Sequence, residues 1–142
     1  MSENNTAKAS IVINAPASKV WEALTDPKLI KQYLFGTETK SDWKKGSSIT
    51  YTGEWEGKAY EDKGEIIDII PGKLLHTTYW SSMSGKEDKP ENYMNVIYEL
   101  SPEGNATKLT ITQDNNASQE SAEHSESNWS SVLQTMKEML EK

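Results

Sequence analysis

The chain has 142 residues, enough for one domain with a proper core. Its 15 lysines, lack of arginine and 22 acidic residues leave a net charge of −7, which argues against nucleic acid and against an anionic membrane surface as partners. No cysteine is present, so disulfides, thiolate metal sites and cysteine nucleophiles are excluded.

Residues 1–7 read as a disordered polar tail, and residues 8–142 as a single domain. The start lacks the apolar core of a secretion signal, and no window approaches a membrane span. A soluble cytoplasmic protein is the expectation. Lys8–Asn14 alternates around Ala9, Ile11 and Ile13, as a strand with one buried face does. Pro16 suits the first helical position, and Val20, Trp21 and Leu24 then share one helical face. Thr25-Asp26-Pro27 stops that helix, and Asp26 is placed to cap the next, whose Leu29, Ile30 and Tyr33 face inward.

From Thr37 to Gln113 the pattern is strand and turn. Ile49, Tyr51, Gly53 and Trp55 alternate, and Glu56-Gly57 suits a tight hairpin. Lys58–Ile70 returns, with Gly64 as a bulge or close-approach point. Pro71-Gly72 turns the chain into a strand over Leu74–Trp80, followed by a polar loop over Ser81–Glu91. Met94, Val96, Tyr98 and Leu100 then share one strand face. Pro102–Asn105 turns the chain again, and Lys108–Gln113 alternates on Leu109 and Ile111. The final segment changes period. Trp129, Val132, Leu133, Met136, Met139 and Leu140 recur at spacings of three and four, which predicts a long amphipathic helix. Glu120, Glu123 and Glu126 suit its N-terminal dipole.

The order is strand, two short helices, about six antiparallel strands, then a long helix, for a sheet of about six to seven strands. A sheet needs its apolar face covered, and only the terminal helix is long enough to cover it. The expected class is α+β, a helix-grip fold: a curved antiparallel sheet with the long C-terminal helix on its concave face. Strand order does not follow from this pattern.

Five pieces in this order, NAPASKVWEALTDP at 14–27, SDWKKGSSITYTGEW at 41–55, YEDKGEIIDIIPGKLL at 60–75, YELSPEGNATKLTITQ at 98–113 and NWSSVLQTMKEMLEK at 128–142, carry a family likeness. Together they resemble the SRPBCC (START-like) superfamily, in its branch related to the activator of the heat-shock-protein-90 ATPase. The eukaryotic activator resembles this chain in its C-terminal domain. The likeness implies a sheet wrapped around one helix, often with an apolar cavity between them. Members of the branch include hydrophobic-ligand binders and chaperone-activator domains.

Candidate chemistry is sparse. Trp21 reads as a core anchor, and Trp129 as either a cavity-mouth residue or a sheet-facing anchor. Tyr51, Trp55, Tyr60, Tyr79, Trp80, Tyr93 and Tyr98 offer rings and hydroxyls to the concave surface or its rim. Such walls suit a small-molecule pocket, and equally suit cross-strand packing. His76 has no visible nucleophile or orienting carboxylate, so a structural or surface role is favoured over general-base chemistry. His124 and Glu120 share a helical face, but two ligands make no metal site. Glu61, Asp62 and Glu65 read as solvated edge charges, and Lys44-Lys45-Gly46 as a turn.

The leading expectation is non-catalytic binding of a small apolar or aromatic molecule between sheet and terminal helix. The expected site is Tyr51, Trp55, His76, Tyr98, Trp129, Val132, Leu133 and Met136, with the short helices and the Ser81–Glu91 loop as gates. No metal or cofactor is called for, and a monomer is expected. A second reading is a protein-interaction module acting on a chaperone or stress-response partner. A third is an enzyme of the cyclase or hydrolase type that the superfamily contains.

Overall fold

The computed structural model describes residues 6–33, 36–55, 57–81, 87–89, 92–114 and 119–141, and of residues 55, 58, 81 and 119 the backbone alone. The expected polar tail lies almost wholly outside these residues, and so does most of the Ser81–Glu91 loop.

The first strand, β1, runs Ala7–Ile13, and Ala7 is already fully buried. The strand therefore begins one residue before Lys8, where alternation predicts its start. Helix α1 spans Ala17–Thr25 with Pro16 as its N-cap, one position earlier than expected. Asp26 does cap α2, Pro27–Tyr33: its Oδ1 accepts from the Lys28 backbone N–H at 2.9 Å. A short strand that the sequence does not announce, β2 at Glu38–Ser41, follows. The remaining strands are β3 (Ser48–Trp55), β4 (Lys58–Ile70), β5 (Leu74–Ser81), β6 (Met94–Glu103) and β7 (Ala106–Gln113). Helix α3, Gln119–Leu140, completes the chain.

The seven strands form one antiparallel sheet in the order β1-β7-β6-β5-β4-β3-β2. Hairpins join β2 through β7 in sequence, while β1 pairs with β7 at the far edge, Ile11 opposite Leu109. At the β4–β5 turn Gly72 has a φ of +80° and Lys73 N–H bonds Ile70 O at 2.9 Å, a backbone that side chains avoid and glycine allows. Gly64 is a close-approach point: a Cβ there would lie 1.7 Å from Thr78 O. The bulge sits elsewhere, between Ile66 and Asp68, where the β4–β5 register shifts by one.

The core gathers at the β1–β7–β6 side of the concave face. Ile13, Leu109, Ile111 and Leu100 meet Leu133 and Met136 of α3, and Val20, Leu24 and Ile30 of the short helices close one end. Burying such side chains contributes roughly 1.5–3 kcal/mol each. The C-terminal half of α3 is thus held by apolar packing. Its N-terminal half carries small or polar residues on the sheet side, Ala122, Ser125 and Asn128, which cannot fill the concavity beneath them.

Candidate functional site

That unfilled space is a cavity of about 410 Å³ between the β3–β6 strands and the N-terminal half of α3. Alternation along each strand decides its walls. Strand β3 supplies Tyr51, β4 supplies Tyr60 and Asp62, β5 supplies Thr77 and Tyr79, and β6 supplies Val96 and Tyr98. Gln113, Ser125, Asn128, Trp129 and Val132 complete the β7 and helical sides, and Thr37 and Glu54 border it as well.

Four of the expected residues meet here: Tyr51, Tyr98, Trp129 and Val132. Trp129 answers both readings offered for it. Its ring meets Tyr98 edge-on, with centroids 6.0 Å apart, and its indole N–H donates to Gln113 Oε1 at 2.7 Å. The Trp55 side chain lies outside the described residues. Leu133 and Met136 do not reach the wall, because the helix turns them into the solid core, where they are 1% and 0% exposed. Among the described residues the short helices do not border the cavity either. They cover the core beside it, where Tyr33 donates to Ala23 O at 2.8 Å.

His76 is on the opposite face of the sheet. Its neighbours Leu75 and Thr77 are buried, so strict alternation turns the imidazole outward. There Nε2 lies 2.9 Å from Asn95 Oδ1, and Asn95 Nδ2 donates to Asp114 Oδ2 at 3.0 Å. Trp80 and Tyr93 stack on each other with centroids 6.4 Å apart, and Lys63 Nζ lies 5.7 Å from the Trp80 ring centre. They form an outer cluster rather than a wall of the cavity.

Asp62 corrects the reading of an edge charge. Strand β4 pairs on both sides, and residues of the same parity as Tyr60 face inward. Asp62 is therefore only 9% exposed. Its Oδ2 accepts from the Tyr79 hydroxyl at 2.6 Å. Its Oδ1 is buried with no hydrogen-bond partner among the described residues, a condition shared only with Thr39 Oγ1. The signal available in the sequence was the Tyr60-Glu61-Asp62 alternation on an interior strand.

Two further features shape the walls. Tyr60 lies over Gly53, where a Cβ would come within 2.6 Å of the phenol oxygen, and shares a 2.6 Å hydrogen bond with Thr37 Oγ1. Burial, reinforced by Tyr98, Tyr33, Tyr79 and Asp62, pushes the Tyr51 phenol well above its usual range. Burial does the same to Tyr98. Both hydroxyls therefore stay protonated near neutrality and offer a donor as well as an acceptor.

Among the described residues, no group of three or more His, Cys, Asp or Glu is arranged to hold a metal ion. No described helix is long and apolar enough to cross a membrane. The arrangement is a partly open, largely aromatic chamber with one buried carboxylate, suited to holding a small molecule.

Comparison with known proteins agrees with this frame. No curated protein matches the chain. A solution structure of a Cytophaga hutchinsonii protein is 46% identical, with a TM-score of 0.85, covering 96% of this chain and 93% of that one. CalU16 from Micromonospora echinospora shares the fold at 24% identity and a TM-score of 0.74, over 95% of this chain and 75% of its own. The Aha1 dimer from Colwellia psychrerythraea shares it at 19% identity and a TM-score of 0.73, over 95% of each chain. The family described as Activator of Hsp90 ATPase homolog 1-like protein matches residues 14–141. With that match spanning nearly every element of the sheet and all three helices, the chain belongs to the Activator of Hsp90 ATPase homolog 1-like family.

Proposed function

We propose that this protein binds a small hydrophobic or aromatic molecule, without transforming it, in the chamber between the sheet and α3. The observation that carries the reading is the 410 Å³ cavity walled by Tyr51, Tyr98, Trp129 and Val132. That volume is in the range of small-molecule sites, which are mostly apolar with a few placed polar groups. Apolar burial at roughly 25 cal/mol per Å² would supply the affinity, and the Tyr51 and Tyr98 hydroxyls would orient the ligand. The turning of His76 to the outer face weighs against the cyclase or hydrolase alternative, since the general base that reading called on is not at the cavity. In this reading the protein works in the cytoplasm as a monomer.

The test is a two-dimensional NMR titration of labelled protein against fatty acids, sterols and flavonoid-like aromatics. Saturable shifts on Tyr51, Tyr98, Trp129 and their neighbours are the expected result. Silence across the whole panel and from aromatic amines as well would overturn it. The family's description would then favour the second reading, a module acting on a chaperone or stress-response partner, tested by pull-down from cell extract.

A further inference from the structure

Among the described residues that line the chamber, one buried carboxylate is a feature that apolar binding does not explain. Asp62 stands on the inner face of an interior strand, flanked by Tyr51 across the β3–β4 pair and by Tyr79 on β5. A purely structural carboxylate in such a place is normally satisfied on both oxygens, because burying one without a partner is costly. Here Tyr79 fixes Oδ2 and thereby the plane of the group, while Oδ1 is left without a partner among the described residues. Asp62 borders the cavity, so its carboxylate is the buried charge that a ligand there would meet.

The surroundings specify the sign of the missing group. No lysine or histidine is among the described lining residues, so nothing there supplies a positive charge to balance the carboxylate. The walls carry five aromatic side chains, Tyr51, Tyr60, Tyr79, Tyr98 and Trp129, and aromatic rings favour cations through their electron-rich faces. The net charge of −7 also raises the local concentration of cations over anions. An anionic headgroup such as a fatty-acid carboxylate would instead meet a like charge in a poorly solvated space.

We infer that the ligand of this chamber carries a protonated amine on an apolar, aromatic-sized body, with the ammonium paired to the Asp62 carboxylate. The inference rests on the cavity-binding reading and adds the chemical class of ligand. Asp62 is its specificity-determining residue. Trp129 and Val132 contact the body, and the Tyr79 hydroxyl holds the carboxylate in its receiving orientation.

Three probes of one shape test it: naphthylmethylammonium, naphthylmethanol and naphthoate, each titrated into labelled wild-type protein. The ammonium is expected to bind at least about tenfold more tightly than the alcohol, as a charge-assisted hydrogen bond over a neutral one implies. Naphthoate is expected to bind weakest. In Asp62→Asn the ammonium-to-alcohol ratio should fall to about threefold or less, since the amide retains an acceptor but not the charge. The variant's amide spectrum reports whether its fold is kept, and the wild-type ranking stands without it. Equal or tighter binding of the alcohol or naphthoate by the wild type would overturn the amine inference alone. So would a preference for the ammonium that survives Asp62→Asn in a folded variant. No binding by any of the three would overturn the amine inference, and silence of the fatty-acid, sterol and flavonoid panel as well would remove the cavity reading with it.

Discussion

Gln113 and Trp129 are joined by a 2.7 Å hydrogen bond that ties the last residue of the sheet to the middle of the terminal helix. The same Gln113 side chain donates through Nε2 to Met94 Sδ at 2.9 Å, so one amide links β7, β6 and α3. It holds the helical roof at the height at which a cavity remains below it. Trp129→Phe keeps the ring contact with Tyr98 but removes the N–H from which Gln113 Oε1 accepts. A loss of about 1–2 kcal/mol is expected in urea unfolding, together with shifts in the Tyr98 resonances.

Filling the chamber should separate stability from binding. Ser125→Leu places an apolar side chain into the space under the small-residue half of α3. Stability is expected to rise by about 1 kcal/mol, within the usual gain of cavity-filling changes. Affinity for any apolar probe should fall by at least about tenfold, as the lost volume excludes ligand atoms. Thermal melting and the titration read the two effects on one protein.

Gly64 should tolerate no side chain. An added Cβ would lie 1.7 Å from Thr78 O, a backbone atom of the paired strand. Gly64→Ala is therefore expected to cost at least about 3 kcal/mol, beyond ordinary overpacking. Gly53→Ala is the milder contrast, because the obstacle is the movable Tyr60 phenol. It should release Tyr60 from Thr37 and loosen the cavity wall while the fold survives, visible as changed Tyr60 and Thr37 resonances.

Alkali should unfold the protein through its buried phenols. Burial raises Tyr33, Tyr51 and Tyr98 in the folded chain, whereas an unfolded tyrosine titrates near ~10. Below that pH both states hold the protons, and the contribution to stability is complete. Above it the unfolded chain releases protons first, so stability falls as pH rises. A phenolate absorbance step coincident with loss of helical circular dichroism is expected, and Tyr98→Phe should move it to higher pH.

The orienting role of the hydroxyls has its own check. Tyr51→Phe and Tyr98→Phe should each weaken a bound amine or alcohol probe by about threefold to tenfold, the range of a single neutral hydrogen bond. Unchanged affinity in both would leave the rings as walls only.

Much of the frame was legible because period and turn chemistry agree along the chain. The β3–β4 hairpin, the Pro71-Gly72 turn and the three-and-four spacing from Trp129 to Leu140 each have one plausible folded outcome. Strand β2 was not legible, since Glu38–Ser41 is four residues with a single buried position, Thr39. The site was only half legible. Tyr51 and Tyr98 follow from alternation, but His76 was set among them although Leu75 and Thr77 on either side already claim the inner face. Asp62 reads in sequence as a solvated edge charge beside Glu61 and Glu65, because strand order, which puts β4 between β3 and β5, is not legible there. Small residues at Ala122 and Ser125, seven and four positions before Trp129, are the sequence's sign of an underfilled helix face.

The bulge in β4 separates two properties that usually change together. Ile67 is the extra residue: Ile66 pairs with Thr77 before it, and Asp68 with His76 after it. Deleting Ile67 would leave each of those pairings, and the inward side of Asp62, Ile66 and Ile69, unaltered in kind. What it would take away is the bend that such an insertion puts into a strand. The facing of the chamber's residues is thus set by parity, and the bend of β4 by a single exposed isoleucine. A lineage or an engineer could change that bend by one codon without rewriting any residue that a ligand touches.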